Sequence, residues 1–364
     1  MVFRFSKLYV KDLRTKPGIQ DYKFNFTVFI SYCLNYLKKK FTILGLDWFL
    51  PALIGVICLA YYTPGTAMFH HPISLAEITN YGITGIFFFY GLKLNPGKFK
   101  TGLANWRMHL VIQTTTFLLF PILALAIRPF FNTPGSEHLW SGIFFLAALP
   151  STVSTSVVMV SLAGGNIPAA IFNASISALI GIFITPLWVS LFLQNGSHMD
   201  TLNIVLKLVL QVLLPVAIGM LLNKRFGFLT EKYKNALKIF DQVVILLIVY
   251  NSFRKSFAEH LFSGMSYVEL FFLTLGMLVL FLVVMLLIKF ISGFLKFNRE
   301  DTITALFCGS KKSLVQGTVM SGILFTGSPL AGIILLPILL YHALQLIAAS
   351  FLARRIALSL KPPD

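Results

Sequence analysis

Over residues 267–288 the chain carries a single charged side chain, Glu269, and otherwise reads mainly as Leu, Val, Phe and Met. A helix rises about 1.5 Å per residue, so a run of about 20 such residues matches the roughly 30 Å hydrocarbon core of a bilayer. Comparable apolar runs lie at 47–62, 75–94, 103–127, 139–162, 169–193, 202–222, 239–253, 302–325 and 331–352. A soluble domain has no interior large enough to hide ten of them. Composition agrees, because 57% of residues are hydrophobic and 12% charged, against about 25% charged in soluble domains. The sequence therefore predicts an all-α polytopic membrane protein with ten transmembrane helices.

A net charge of +17 would point to nucleic acid in a soluble chain. Here the bases cluster between apolar runs, with no aromatic-basic interleaving, and no nucleic-acid partner is expected. With the N-terminus inside, twenty-four Lys and Arg fall in inward segments and three, Arg128, Arg254 and Lys255, in outward ones. The positive-inside rule then puts both termini in the cytosol of a plasma or inner membrane. Lys207 is expected to snorkel from the outer end of its span. Residues 1–46 are a basic cytosolic segment without the apolar core of a signal peptide. Within it 24–37, interrupted by Asn25, Ser31 and Asn35, reads as an interfacial helix; 353–364 form a cytosolic tail. Cys33, Cys58 and Cys308 make no disulfide framework and no metal spacing.

Comparing the halves of the chain exposes a repeat. Leu50-Pro51-Ala52-Leu53-Ile54-Gly55 recurs as Leu214-Pro215-Val216-Ala217-Ile218-Gly219, and Val158-Met159, Pro168 and Ala170 recur 161 residues later as Val319-Met320, Pro329 and Ala331. The repeats, 47–193 and 202–352, hold five spans each. An odd number makes the second half enter from the opposite side, the inverted arrangement of many secondary transporters.

The same offset pairs two interruptions, Pro150-Ser151-Thr152-Val153-Ser154-Thr155-Ser156 in span four and Cys308-Gly309-Ser310-Lys311-Lys312-Ser313 in span nine. Broken helices at corresponding places are the best sequence pointer to a transporter's binding site, because freed backbone groups at mid-membrane must line a cavity or hold a solute. Pro150 is otherwise an ordinary kink, and Lys311 and Lys312 otherwise belong to a cytosolic loop. The second choice would leave 313–325, about 20 Å of helix, to cross about 30 Å of lipid. Candidate binding residues are Ser151, Thr152, Thr155, Ser156, Lys311, Lys312 and Ser313. Asn173 and Ser177 on span five share a face, as do Gln113 and Thr116 on span three; these four either complete a cavity or join helices. Tyr341-His342 with Gln345 forms a similar belt in span ten. Gly164-Gly165-Asn166 reads as a tight turn. Asp241 and Glu77 are expected near span ends.

Several segments resemble the bile acid:sodium symporter family in its SBF-like branch. They are Phe89-Tyr90-Gly91-Leu92-Lys93-Leu94, His109-Leu110-Val111-Ile112-Gln113 followed by Phe120-Pro121, Gly164-Gly165-Asn166 with Ala169-Ala170-Ile171-Phe172-Asn173, Ile184-Thr185-Pro186-Leu187, and Phe307-Cys308 followed by Lys312-Ser313-Leu314, Pro337 and Tyr341-His342. The resemblance covers about residues 45–355. It implies two inverted repeats, a core domain of spans three to five and eight to ten with discontinuous helices four and nine crossing, and a panel of spans one, two, six and seven. It also implies alternating-access transport of an organic anion or other amphipathic small solute. By position Ser156, Asn173 and Ser177, with Thr116 or Gln113, correspond to sodium ligands of relatives. The carboxylate those relatives carry in span nine is replaced here by Phe307 and Cys308, with Lys311 and Lys312 following.

No H-E-x-x-H, G-x-S-x-G or paired acidic motif suggests an enzyme. No organic cofactor or resident metal is expected, and sodium or a proton is the candidate coupling ion. The expected function is secondary transport; the competing reading is a non-transporting membrane regulator or scaffold.

Overall fold

The computed structural model describes residues 48–64, 75–93, 105–131, 136–193, 209–263 and 265–359. The expected interfacial helix at 24–37, Lys207 and residues 360–364 lie outside them. Among the described residues every regular element is helical, and the helices from Phe49 onward belong to one compact unit.

The helices, in chain order, are α1 (Phe49–Tyr62), α2 (Leu75–Lys93), α3 (Trp106–Phe130), α4a (Ser136–Ala148), α4b (Ser154–Leu162), α5 (Ile167–Phe192), α6 (Val209–Lys232), α7 (Lys234–Ala258), α8 (Tyr267–Phe294), α9a (Arg299–Gly309), α9b (Leu314–Leu324) and α10 (Ala331–Leu358). Each expected apolar run coincides with one of them or with a broken pair. Among the described residues six are long and apolar enough to cross a membrane by length and composition: α3, α5, α6, α7, α8 and α10.

Helices α6, α7, α8 and α10 run past the apolar stretches that announced them. Apolarity marks the part of a helix that meets lipid, whereas the backbone ladder continues into water wherever Lys, Arg and Glu are good helix formers. Asp241, expected near a span end, accordingly lies inside α7 and pairs with Lys93 of α2 at 3.5 Å. Glu269, the lone charge of the 267–288 run, belongs to the N-terminal cap of α8. Its carboxylate accepts from the Ser266 N–H at 2.7 Å while the Ser266 hydroxyl accepts from the Glu269 N–H at 3.1 Å, a capping box that satisfies both orphan donors.

Packing puts the broken helices at the centre. Helices α4a and α4b contact α5, α9a and α10, while α9a and α9b contact α3, α8, α7 and α10. Helices α2 and α6 form the closest pair, because Gly91 faces the Val216 carbonyl and Gly219 faces the Phe88 carbonyl with no space for a Cβ between. On the outside, α8 exposes Phe271, Phe272, Leu286, Phe290 and Phe294, a surface suited to lipid and not to water.

Candidate functional site

Breaking a helix frees carbonyls at the end of its first half and N–H groups at the start of its second. In hydrocarbon each must find a partner, since an unmade hydrogen bond there costs several kcal/mol, of the order of 2–7. The two breaks meet and satisfy one another. Ser313 N donates to Pro150 O at 2.9 Å. The Ser151 hydroxyl donates to Cys308 O at 2.5 Å, and the Ser156 hydroxyl to Phe307 O at 3.1 Å. Ser151 N reaches the Ser177 hydroxyl of α5 at 2.9 Å, and Thr185 of the same helix caps Ala148 O at 2.7 Å. From α10, Tyr341 donates to Ser310 O at 2.6 Å.

Lys312 closes the arrangement. Its Nζ lies 2.7 Å from Thr116 O, 2.7 Å from Ala147 O and 2.8 Å from Leu149 O. Three acceptors use all three hydrogens of an ammonium, whereas a neutral amine has two to offer. Ala147 and Leu149 stand at the C-terminal end of α4a, where the helix dipole favours a cation. The Phe120 ring lies 4.1 Å from the nitrogen, at cation–π distance. The backbone of Lys312 is held as well, its N–H donating to Gln345 Oε1 and its carbonyl accepting from Gln345 Nε2, both at 2.9 Å.

Why Thr116 O is free follows from the sequence of α3. Residues Thr115–Leu119 form a π segment in which Phe120 N bonds Thr115 O. The next residue, Pro121, has no N–H and so leaves the carbonyls before it without a helical donor. Lys312 takes Thr116 O, and Trp188 of α5 takes Phe117 O through its indole N–H at 2.9 Å. Sequence inspection placed Thr116 in the site for its hydroxyl. That hydroxyl instead bonds back to Ile112 O at 2.8 Å, and the main chain of Thr116 makes the contact.

Lys311 and Lys312 are both fully buried in the protein and not exposed as in a solvated loop. Lys311 Nζ donates to Thr155 O at 2.9 Å in the first turn of α4b. Thr152, Thr155 and Ser156 form a hydroxyl chain, Thr152 lying 2.8 Å from each of the others. Ser313 caps α9b through the Gln316 N–H. Gln113 and Asn173 form a separate cluster with His109. Gln113 Nε2 donates to Asn173 Oδ1 at 3.3 Å, and Asn173 Nδ2 lies 2.7 Å from His109 Nδ1.

The three residues aligned with sodium ligands are therefore engaged apart from one another: Ser156 with Phe307 O, Ser177 with Ser151 N, and Asn173 with His109 and Ala169 O. Gln345, Tyr341, Thr185 and Trp188 join the site although none was singled out as a binding residue. The polar belt Tyr341-His342 with Gln345 was the available signal; for Thr185 and Trp188 the neighbouring Pro186 was. Near the other end of α9a, Asp301 accepts from Asn105 Nδ2 at 2.9 Å and Asn166 Nδ2 at 3.1 Å, tying the starts of α3, α5 and α9a together. Asn166 also caps α5, and Gly164, at φ 73°, takes the left-handed conformation that the expected tight turn requires.

Comparison with known proteins gives this arrangement a setting. Residues 47–358 match the SBF-like CPA transporter family. The chain is 38% identical over 312 residues to an uncharacterized protein of Pseudomonas aeruginosa, covering 85% of this chain and 93% of that one. It is 36% identical over 311 residues to YfeH of Escherichia coli, named as a candidate symporter, covering 85% and 92%. It is also 29% identical over 313 residues to sodium/bile acid cotransporter 7-A of Xenopus laevis, covering 84% and 90%. A chain whose described residues include six helices long and apolar enough to cross a membrane, matched over nearly all of its described length, belongs to the SBF-like CPA transporter family and is a multi-pass membrane transporter of the bile acid:sodium symporter type, not an enzyme.

Proposed function

We propose that this transporter moves an organic anion by alternating access without sodium, with Lys312 as a cation built into the crossing of two discontinuous helices. Ten transmembrane helices form two inverted repeats, 47–193 and 202–352, with both termini cytosolic. Helices α3–α5 and α8–α10 act as the core, moving against α1, α2, α6 and α7. The observation that carries this reading is the position of Lys312 Nζ between carbonyls of α3 and of the α4 break.

Relatives named sodium/bile acid cotransporter raise sodium as the coupling ion. Here Ser156, Asn173 and Ser177 already have separate protein partners, and a tethered ammonium supplies the positive charge that a bound ion would otherwise bring. Lys311, Ser151, Thr152 and Thr155 complete the polar crossing, and the net positive charge attracts an anion.

Uptake by the purified protein in proteoliposomes tests this, using a panel of labelled organic anions with and without a sodium gradient. Saturable uptake that ignores sodium and falls more than about tenfold in Lys312→Gln is the expected result, with Lys311→Gln losing less because its nitrogen has one carbonyl partner in place of three. Sodium stimulation that survives Lys312→Gln unchanged would restore the ordinary sodium symporter. Folded protein that leaves every anion gradient intact would restore the regulator or scaffold.

A further inference from the structure

Asn223 of α6 caps the end of α2, its side-chain amide donating to Leu92 O at 2.7 Å. Beyond it α6 continues to Lys232, about 14 Å of further helix. Leu222, Phe226 and Leu229 fall on one face of α6, and with Phe89 of α2 they line a groove of about 420 Å³ that ends at Tyr233 and Leu237, where α6 turns into α7. Thr230, the polar side chain in the lining, spends its hydroxyl on Gly227 O at 2.7 Å, and no carboxylate lines the groove. Phe226 and Tyr233 remain 39% and 51% exposed, so the apolar surface is left open by the protein around it.

The rim of this groove is cationic. The Arg225 guanidinium lies 5.8 Å from the Phe226 ring, and Lys232 Nζ lies 5.3 Å from the Tyr233 ring. Both charges therefore stand beside aromatic rings that line the groove. Lys234 lies three residues before Leu237 in α7, on the same side of that helix. All three bases are exposed, and no carboxylate among the described residues pairs with any of them. Glu231, next to Lys232, points away from Leu229, because two residues are more than half a helical turn. The positive-inside bias accounts for bases at a cytosolic end; it does not account for an open apolar groove among them.

We infer that this groove binds an anionic phospholipid, with an acyl chain against Phe89, Phe226 and Leu229 and the phosphate facing Arg225, Lys232 and Lys234. Basic pockets between membrane helices suit such headgroups, and the planar fork of Arg225 matches phosphate oxygens. A zwitterionic lipid would bring its own ammonium among the three bases and lose most of the attraction. Only the choice of the cytosolic leaflet rests on the orientation proposed above; the binding itself is independent of orientation and of what is transported.

Native mass spectrometry of the full-length protein released from detergent reads the retained lipid. The probes are dioleoylphosphatidylglycerol, dioleoylphosphatidylcholine and glycerol 3-phosphate. Phosphatidylglycerol is expected to be retained saturably, with an apparent Kd at least about fivefold below that of phosphatidylcholine, and glycerol 3-phosphate is expected not to displace it. Arg225→Gln/Lys232→Gln/Lys234→Gln should abolish the preference, while Arg225→Lys/Lys232→Arg/Lys234→Arg should keep it, which guards against a loss due to misfolding. Leu229→Trp, which fills the groove and leaves every base, should weaken retention severalfold. Equal retention of the two lipids by the wild type, a preference that survives the three Gln substitutions, unchanged retention in Leu229→Trp, or displacement by glycerol 3-phosphate would each overturn the inference. So would a disulfide between Cys33 and a cysteine at Phe226→Cys in a Cys58→Ser background, since residues 24–37 of this chain would then occupy the groove.

Discussion

Lys312 donates to three main-chain acceptors around the breaks, Thr116 O, Ala147 O and Leu149 O. Replacing it by Met keeps the volume and removes the charge that burial disfavours, but orphans three carbonyls at about 1–3 kcal/mol each. Even with part of that offset by the lost desolvation penalty, Lys312→Met is expected to destabilise by about 3 kcal/mol or more. Lys311→Met, which orphans Thr155 O alone, should cost about 1–2 kcal/mol. Thermal unfolding in detergent followed by size-exclusion fluorescence reads the order, and equal losses would mean that the carbonyl count is not what matters. The place of Lys312 was legible from the repeat offset; its partners were not. Carbonyls belong to every residue, so no side-chain pattern announces which ones a fold will leave free.

At the scale of elements, two devices shape the helices around the site: proline and glycine. Each of the π segments, Thr115–Leu119 and Val209–Leu213, runs directly into a helix whose second residue is proline, Pro121 or Pro215. A missing N–H breaks the regular ladder in both. Glycine acts between α2 and α6. Alanine at Gly219 would drive its methyl into the Phe88 carbonyl, and at Gly91 into the Val216 carbonyl, so the helices must separate. Overpacking of this kind costs about 1–3 kcal/mol, and a lower thermal midpoint is expected for Gly91→Ala and Gly219→Ala. Gly55 closes the Leu-Pro-x-x-Ile-Gly segment that recurs in sequence at Gly219, yet nothing lies within 4 Å of its would-be Cβ; Gly55→Ala is expected to be neutral or stabilising by up to about 1 kcal/mol. Destabilisation of Gly55→Ala equal to that of Gly219→Ala would show that both glycines serve backbone freedom and not helix contact. Aligned residues look alike in sequence, and only their neighbours separate them.

For the whole molecule, the proposed orientation puts twenty-four of the inter-span and terminal bases inside and three outside. In a background with Cys33, Cys58 and Cys308 replaced, single cysteines at Ser136 and Ser197 should react with an impermeant maleimide applied from outside, and one at Asn235 should not. Labelling at Asn235 in intact cells would invert the molecule. Chain order and apolar length were enough to establish a helical membrane protein, the approximate extent of each helix and the two places where helices break, because lipid forces backbone groups to pair locally and so ties secondary structure to hydropathy. Which groups those breaks use was decided in three dimensions. Ser151, Ser156, Tyr341, Gln345 and Lys312 come from four different helices or breaks, and each satisfies a carbonyl far from it in sequence. A hydrogen bond depends on distance and direction in space, and neither is written in the spacing of residues along a chain.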